Sequence, residues 1–364
     1  MFISDLETPA VIVDLDVMER NLSRIADYCR AHQLRLRPHT KTHKIPELAK
    51  RQLASGATGI TVAKIGEAEV MLAAGIDDIL IAYPIVGPKK TTRLAQLAEQ
   101  ATITVSLDSE EVARGISEAA ARRGTNIRVL IEMDVGFERC GFSDEADLLA
   151  LGRKVAELPG LEFRGLMFFP GQFGVAPEER AALRIQVNDF LKRTLETFSN
   201  AGLPVSILSG GSTPTAYEGG HFHGVNEVRP GTYIFNDRNT VAVSACTLDD
   251  CALSVLVTVV STAVPGHAVV DGGSKTFSYD RFQGGDERGF GIVKEDPAAE
   301  VERFSEEHGH LKIQRSQRRY RIGDRLTIIP NHVCTTVNMH DEIYGVRGER
   351  VEEVWRVEGR GKVR

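Results

Sequence analysis

Between residues 10 and about 240 the chain alternates short, β-branched apolar runs with longer stretches rich in Ala, Leu and Glu. That alternation restricts the fold more than any other feature. The runs at 10–13, 59–62, 79–82, 103–106, 128–133, 165–169 and 207–209 are apolar on both faces, as strands covered by helices on either side are. Helix signals fall between them: Asp14-Leu15-Asp16 ahead of 18–31, Gly75 closing 66–74, Gly124 closing 109–123 and Gly202 closing 177–201. Strand and helix taking turns over this length leave a (β/α) barrel or an open doubly wound sheet, and seven or eight strands favour the barrel.

After residue 245 the texture changes. The runs at 252–262, 268–271, 325–329, 342–346 and 351–357 read as strands separated by turns and polar loops, with no helix between them. The expected architecture is therefore α/β: an N-terminal (β/α)8 TIM-like barrel over residues 10–244, then a mostly antiparallel β domain over 245–364 that residues 1–9 join. Residues 280–317, rich in Gly, Glu and Arg, read as a long irregular insertion. A length of 364 residues accommodates about two such domains.

Composition removes several function classes. Lys and Arg number 44 against 50 Asp and Glu, a formal charge of −6, and nucleic-acid binders usually show a basic excess or stripe. No run approaches the roughly 20 apolar residues of a membrane helix, and the start MFISDLETPAVIVDL lacks the basic segment of a signal peptide. The five cysteines, Cys29, Cys140, Cys246, Cys251 and Cys334, are odd in number and irregular in spacing, a poor disulfide framework. Together these features predict a cytoplasmic protein that binds neither nucleic acid nor membrane.

Three segments carry chemistry. Arg37-Pro38-His39-Thr40-Lys41-Thr42-His43-Lys44 follows an apolar alternation, where a barrel strand would end and barrel active sites lie. A lysine there, its pKa lowered by burial and neighbouring cations, is a usable amine nucleophile; the segment reads equally as a solvated basic turn. Ser209-Gly210-Gly211-Ser212-Thr213-Pro214-Thr215 also follows an apolar run. Its glycines and hydroxyls suit an anion cradle, although most glycine-rich loops are only turns. In Pro330-Asn331-His332-Val333-Cys334-Thr335-Thr336, an extended backbone would put His332 and Cys334 on one side. An imidazole and a thiolate suit zinc and would leave coordination positions open, with packing as the alternative.

Taken in order, several segments resemble the D-threonine aldolase and D-serine dehydratase family, pyridoxal-phosphate lyases of the alanine-racemase-like fold type. They are Thr8 to Asp16, the RPHTKTHK segment, Glu132-Met133-Asp134-Val135-Gly136 through Arg139-Cys140-Gly141, the SGGSTPT loop, Arg229-Pro230-Gly231-Thr232-Tyr233, Asp271-Gly272-Gly273-Ser274-Lys275 and PNHVCTT. The resemblance spans nearly the whole chain. It implies that Lys41 carries pyridoxal 5'-phosphate covalently, that Gly211, Ser212 and Thr213 with Tyr233 hold its phosphate, and that Arg139 lies beside the ring. His332 and Cys334 would bind a divalent metal, Zn2+ or Mn2+, and the substrate would be a D-amino acid bearing a β-hydroxyl. Relatives of this fold type form homodimers, which is expected here by analogy.

The resemblance leaves two reactions open. The His-x-Cys pair is similar to the dehydratases, since the aldolases show His-x-Asp, whereas Thr336 to Asp341 and the barrel look more like the bacterial aldolases. At Phe168-Phe169-Pro170-Gly171-Gln172 the chain departs from the Tyr-His-Gly type of segment seen in many relatives. No acid or base carries over from there, and His39 and His43 become the candidates. The expected activity is retro-aldol cleavage to glycine and an aldehyde, with elimination to a 2-oxo acid and ammonia as the alternative. An amino-acid racemase or a non-catalytic carrier of the cofactor stands behind both.

Overall fold

A computed structural model describes residues 1–284 and 289–364, which form two compact units. The first to be considered comprises residues 24–41, 46–231 and 361–364. Its core is an eight-stranded parallel sheet: Arg35–Leu36, Ile60–Val62, Asp78–Ile81, Thr102–Leu107, Ile127–Met133, Leu161–Phe168, Ile207–Gly210 and Glu227–Val228. Neighbouring strands pair in chain order, and Leu36 pairs with Val228 to join the first strand to the last. A parallel bridge between His39 and Thr61, with the Thr58 N–H donating to Leu36 O and the Thr61 N–H to Pro38 O, closes the ring between the first two strands.

The barrel's helices are punctuated as the sequence indicates. In Glu110–Arg123 the Ser109 hydroxyl accepts the Val112 N–H, Glu110 and Glu111 occupy the first turn, Arg122 and Arg123 the last, and Gly124 ends it at φ +65°. Each feature favours a helix with these ends.

The second unit comprises residues 1–23, 42–45 and 232–360 and is built on a nine-stranded sheet. Its spatial order is His267–Val270, Gly309–Lys312, Glu300–Phe304, Gly291–Val293, Arg325–Pro330, Leu253–Ser261, Ala10–Asp14, Glu342–Arg347 and Arg350–Arg356. All pairs are antiparallel except Ala10–Asp14 with Glu342–Arg347.

Three expectations need correction. The run at 10–13 is not a barrel strand. It lies inside this second sheet, pairing Val13 with Leu253 and with Gly345, and Ile12 packs on Leu6, Leu256 and Val346. A strand buried on both faces reads the same in a covered sheet as in a barrel. The barrel's eighth place goes instead to Glu227–Val228, two residues long and too short to show a period. The expected division near residue 245, with 10–244 as one domain, accordingly moves: the chain leaves the barrel unit at Gly231, and Met1–Ser23 belong to the second unit. Residues 280–317 are not an irregular insertion either, since Gly291–Val293, Glu300–Phe304 and Gly309–Lys312 are sheet strands. Their short length and half-exposed faces hide the pattern; residues 285–288 of that segment lie outside the described residues. No helix among the described residues is long and apolar enough to cross a membrane.

Candidate active site

Parallel strands deliver all their C-terminal ends to one rim, and the barrel unit gathers Lys41, His39, Arg139, Arg229 and the Gly211–Thr213 loop there. Lys41 lies in a short turn, Thr40–Thr42, with its side chain exposed. The turn is anchored beneath by the buried Thr40 hydroxyl, which donates to Thr61 O at 3.1 Å. The Lys41 N–H donates to His39 Nδ1 at 3.4 Å, which makes Nε2 the protonated nitrogen of the neutral ring. Burial holds the His39 pKa well below the usual histidine value, and the nearby Lys41, Arg229 and Arg139 charges add to the effect. His39 is thus a neutral imidazole in a cationic rim.

Beneath the rim runs a chain of buried charge. Arg229 donates through Nη1 to Ser209 Oγ at 2.5 Å and through Nη2 to Phe168 O at 2.8 Å. Burial lowers its pKa to about 10, against the pull of Glu227 and Glu132. Ser209 Oγ donates to Glu227 Oε1 at 2.7 Å, Arg37 Nε to Glu227 Oε2 at 2.9 Å, and Arg37 Nη1 to Asp78 Oδ1 at 2.7 Å. Glu132, also buried, faces Arg139 Nη2 at 3.4 Å; burial raises its pKa while Arg139 and Arg229 oppose the rise. The half-exposed Arg139 guanidinium lies 4.5 Å over the Phe169 ring. The departing segment 168–172 therefore supplies packing and a carbonyl, not an acid or base.

The loop after Ile207–Gly210 is tightly folded on glycines and internal hydrogen bonds. A Cβ at Gly210 would overlap the buried Phe168 ring, and Gly211 adopts φ +102°, a conformation that favours glycine. The Ser212 N–H donates to Thr215 Oγ1 at 3.0 Å, and the Thr215 and Ala216 N–H groups return to Ser212 O and Thr213 O. Ser212 and Thr213 are buried. Arg180 Nη1, itself buried, donates to Pro214 O at 3.0 Å and pairs with Glu218 Oε1 at 3.1 Å, which braces the loop from its far side. A glycine-bearing loop with Ser and Thr hydroxyls is chemically compatible with a phosphate ester, and a lysine amine on the same rim with an aldehyde.

The remaining predicted residues belong to the second unit. His43 is wholly buried, its Nδ1 accepting the Ile45 N–H at 3.0 Å and its ring edge-on to Phe235. Tyr233 is buried in the short turn Thr232–Ile234. His332 and Cys334 do come together, but not as strand neighbours. The backbone turns at His332 into a helix, Val333–Asn338, so the expected extended segment is corrected. The Val333 N–H is claimed by Asp237 Oδ2 at 3.1 Å, and the Thr335 and Thr336 hydroxyls both donate to His332 O, which starts the helix.

Cys334 Sγ lies 3.3 Å from Oγ1 of Thr42, the residue that follows Lys41. His332 Nδ1 lies 3.0 Å from Asp237 Oδ2. Negative charge on the Cys334 sulfur, then the Asp237 carboxylate, push the His332 pKa up to about 11 against the effect of burial. The spot thus favours positive charge, and an imidazole beside a thiol suits a borderline-soft divalent metal such as zinc. Among the described residues no group of three or more His, Cys, Asp or Glu gathers for a metal. His332 and Cys334 by themselves offer two protein donors, fewer than the three that catalytic zinc sites usually have.

Arg180 and Asp237 stand outside every chemistry-bearing or resembling segment read from the sequence, and Glu132 and Arg229, which open two of the resembling segments, have no role assigned there. A lone carboxylate in the apolar run 127–133 and the Asp237-x-x-Thr240 capping pattern were the available signals.

Residues 13–239 match the family model of the alanine racemase N-terminal domain, and residues 252–346 match a serine dehydratase domain model. The D-threonine aldolase of Arthrobacter sp. is 34% identical over 360 residues, covering 98% of this chain and 93% of its own. The D-threo-3-hydroxyaspartate dehydratase of Delftia sp. (strain HT23) is 35% identical over 350 residues, 91% of this chain and 92% of its own. The crystal structure of D-threonine aldolase from Filomicrobium marinum superposes with a TM-score of 0.93 at 37% identity, covering 100% of this chain and 98% of that one.

Proposed function

The chain belongs to the alanine racemase-like family that includes D-threonine aldolases and D-serine dehydratases, and from that premise we propose that it is a lyase dependent on pyridoxal 5'-phosphate and a divalent metal, Zn2+ or Mn2+. It cleaves D-β-hydroxy-α-amino acids, D-threonine among them, to glycine and an aldehyde. The observation that carries this reading is the His332 and Cys334 pair. Racemisation needs an acid or base on each face of the α-carbon and no metal, and a passive cofactor carrier needs none either.

Lys41 holds the cofactor, the loop Gly211–Thr213 with Tyr233 holds its phosphate, and Arg139 lies beside its ring. When bound, the cofactor supplies an electron sink for the bond broken at the substrate's α-carbon. His39 and His43 each accept a backbone N–H two residues on, from Lys41 and Ile45. Expected as the acid or base, each thus has Nδ1 engaged by the backbone and its remaining ring nitrogen protonated when neutral, so in place of a base's role they hold the turn that carries Lys41. His332 and Cys334 would hold the metal, whose chemistry there would be to lower the pKa of the substrate's β-hydroxyl, so that its proton can pass to water as the Cα–Cβ bond breaks.

A second reading is favoured by Cys334, whose thiolate matches the dehydratase type of ligand pair. There Lys41 Nζ, freed when the substrate's amine takes its place, would take the α-proton and the β-hydroxyl would leave as water; the released enamine would then take up water and give a 2-oxo acid and ammonia. Incubating the cofactor- and zinc-loaded protein with D-threonine and with D-serine separates the two. Glycine with acetaldehyde supports the aldolase, and 2-oxobutanoate or pyruvate supports the dehydratase. D-threonine turned only into its enantiomer, or no product from either, overturns the lyase reading. Five free cysteines among the described residues suit a reducing cytoplasm, and a homodimer is proposed from the fold type.

A further inference from the structure

We propose that Asp237 is a positioning residue for the metal, accepting the Nδ1 proton of His332 so that Nε2 is presented as the metal's donor. This rests on reading His332 and Cys334 as the protein's metal donors. The Asp237 carboxylate is wholly buried, whereas the imidazole it holds is 35% exposed. One end of the ring is anchored on Asp237, and its other side-chain partner is Cys334, the second donor of the pair.

The same carboxylate ties the site to two helix starts. Oδ2 accepts from His332 Nδ1 at 3.0 Å and from the Val333 N–H at 3.1 Å, so the ring and the first turn of Val333–Asn338 are set by one atom. Oδ1 accepts the Thr240 N–H at 2.8 Å and caps Arg238–Ala242, while the Thr240 hydroxyl accepts the Asp237 N–H. Three N–H donors converge on two acceptor oxygens, which an acceptor-only side chain satisfies and an amide cannot. An Asn here would point its NH2 either at Thr240 N–H or at the His332 and Val333 pair. In the second case the ring is driven to the tautomer with its proton on Nε2, the wrong one for a metal. A carboxylate that fixes the tautomer and direction of a ligating histidine is worth about 10–100-fold in metal affinity.

The test compares zinc affinity, by competition with a chromophoric chelator, in the cofactor-loaded wild type and in Asp237→Asn, His332→Ala and Thr240→Val. A drop of about 10–100-fold for Asp237→Asn, with cofactor absorbance per chain retained, supports the proposal. Thr240→Val, which loosens the cap without touching the ring, should lower the melting temperature and leave zinc affinity within twofold. Wild-type zinc affinity in Asp237→Asn, alongside loss in His332→Ala, overturns the positioning role alone. Zinc binding that survives His332→Ala overturns the metal reading and this inference with it. Should Asp237→Asn not fold, the NMR spectrum of the zinc-loaded, 15N-histidine-labelled wild type decides. A histidine protonated at Nδ1 and metal-bound at Nε2, absent from His332→Ala, supports the proposal, and the opposite tautomer overturns it.

Discussion

Arg37 and Glu227 meet across the barrel's first and last strands, Nε to Oε2 at 2.9 Å, with side chains only 9% and 1% exposed. The pair is buried where the barrel's first strand, Arg35–Leu36, meets its last, Glu227–Val228, and Glu227 also accepts from Ser209. Removing one partner of a buried ion pair leaves the other uncompensated and costs about 3–5 kcal/mol. Glu227→Gln is expected to fall near the lower end, since the amide oxygen still accepts one bond. Urea unfolding followed by circular dichroism measures it, and a loss under about 1 kcal/mol would show that the pair is not structural.

That pair also marks the limit of what can be read without a structure. The barrel strands at 59–62 through 207–209 are legible because helices bury both faces of each, and the helices because their ends carry caps and glycines. Glu227–Val228 is not legible, since two residues have no period, and Ala10–Asp14 is misplaced because burial on both faces is common to a barrel and a covered sheet. For the site, Lys41 and the Gly211–Thr213 loop stand out by residue type at strand ends. Asp237 does not, because its capping role is local in sequence while its partner His332 lies 95 residues away. Arg229 and Glu132 stand in segments that carry the resemblance, but their roles come from burial, which composition does not report.

Gly210→Ala tests whether the loop proposed to hold the phosphate depends on packing beneath it. The added Cβ would overlap the Phe168 ring, fully buried and held edge-on against Phe222, and the carbonyl of Phe168 is a partner of Arg229. Overpacking of this kind costs about 1–3 kcal/mol. The expected result is a lower melting temperature together with weaker retention of pyridoxal 5'-phosphate on dialysis, followed by its absorbance. Unchanged retention would show that the loop's hold on the phosphate is independent of its seat.

His39 makes stability depend on pH in a definite direction. Its folded pKa lies well below the ordinary value, chiefly through burial and then through Lys41, Arg229 and Arg139. The unfolded chain therefore binds a proton at His39 below about pH 6.5 that the folded protein refuses, and stability falls as pH drops through that value. Above it both states are neutral at this site and His39 adds no slope. In His39→Asn the loss between pH 7 and pH 5 is expected to shrink by up to one proton's worth, read from denaturant midpoints across that range. Parallel curves for the two proteins would refute the assignment.

Cys334→Asp should change which metal the site prefers while keeping a two-donor site. A thiolate is a soft ligand that favours zinc, and a carboxylate is a hard one that suits manganese. The imidazole of His332 stays anchored to Asp237 in either case, because that contact does not involve the sulfur. Zinc affinity is expected to fall by about tenfold or more relative to manganese, in line with the loss of a first ligand's softness. Competition between the two metals in the cofactor-loaded protein measures it. With each metal in turn, the products from D-threonine then show whether the thiolate biases the outcome toward elimination. If Cys334→Asp retains the wild-type zinc preference, the sulfur is not a ligand, and the metal must be held through His332 and groups other than Cys334.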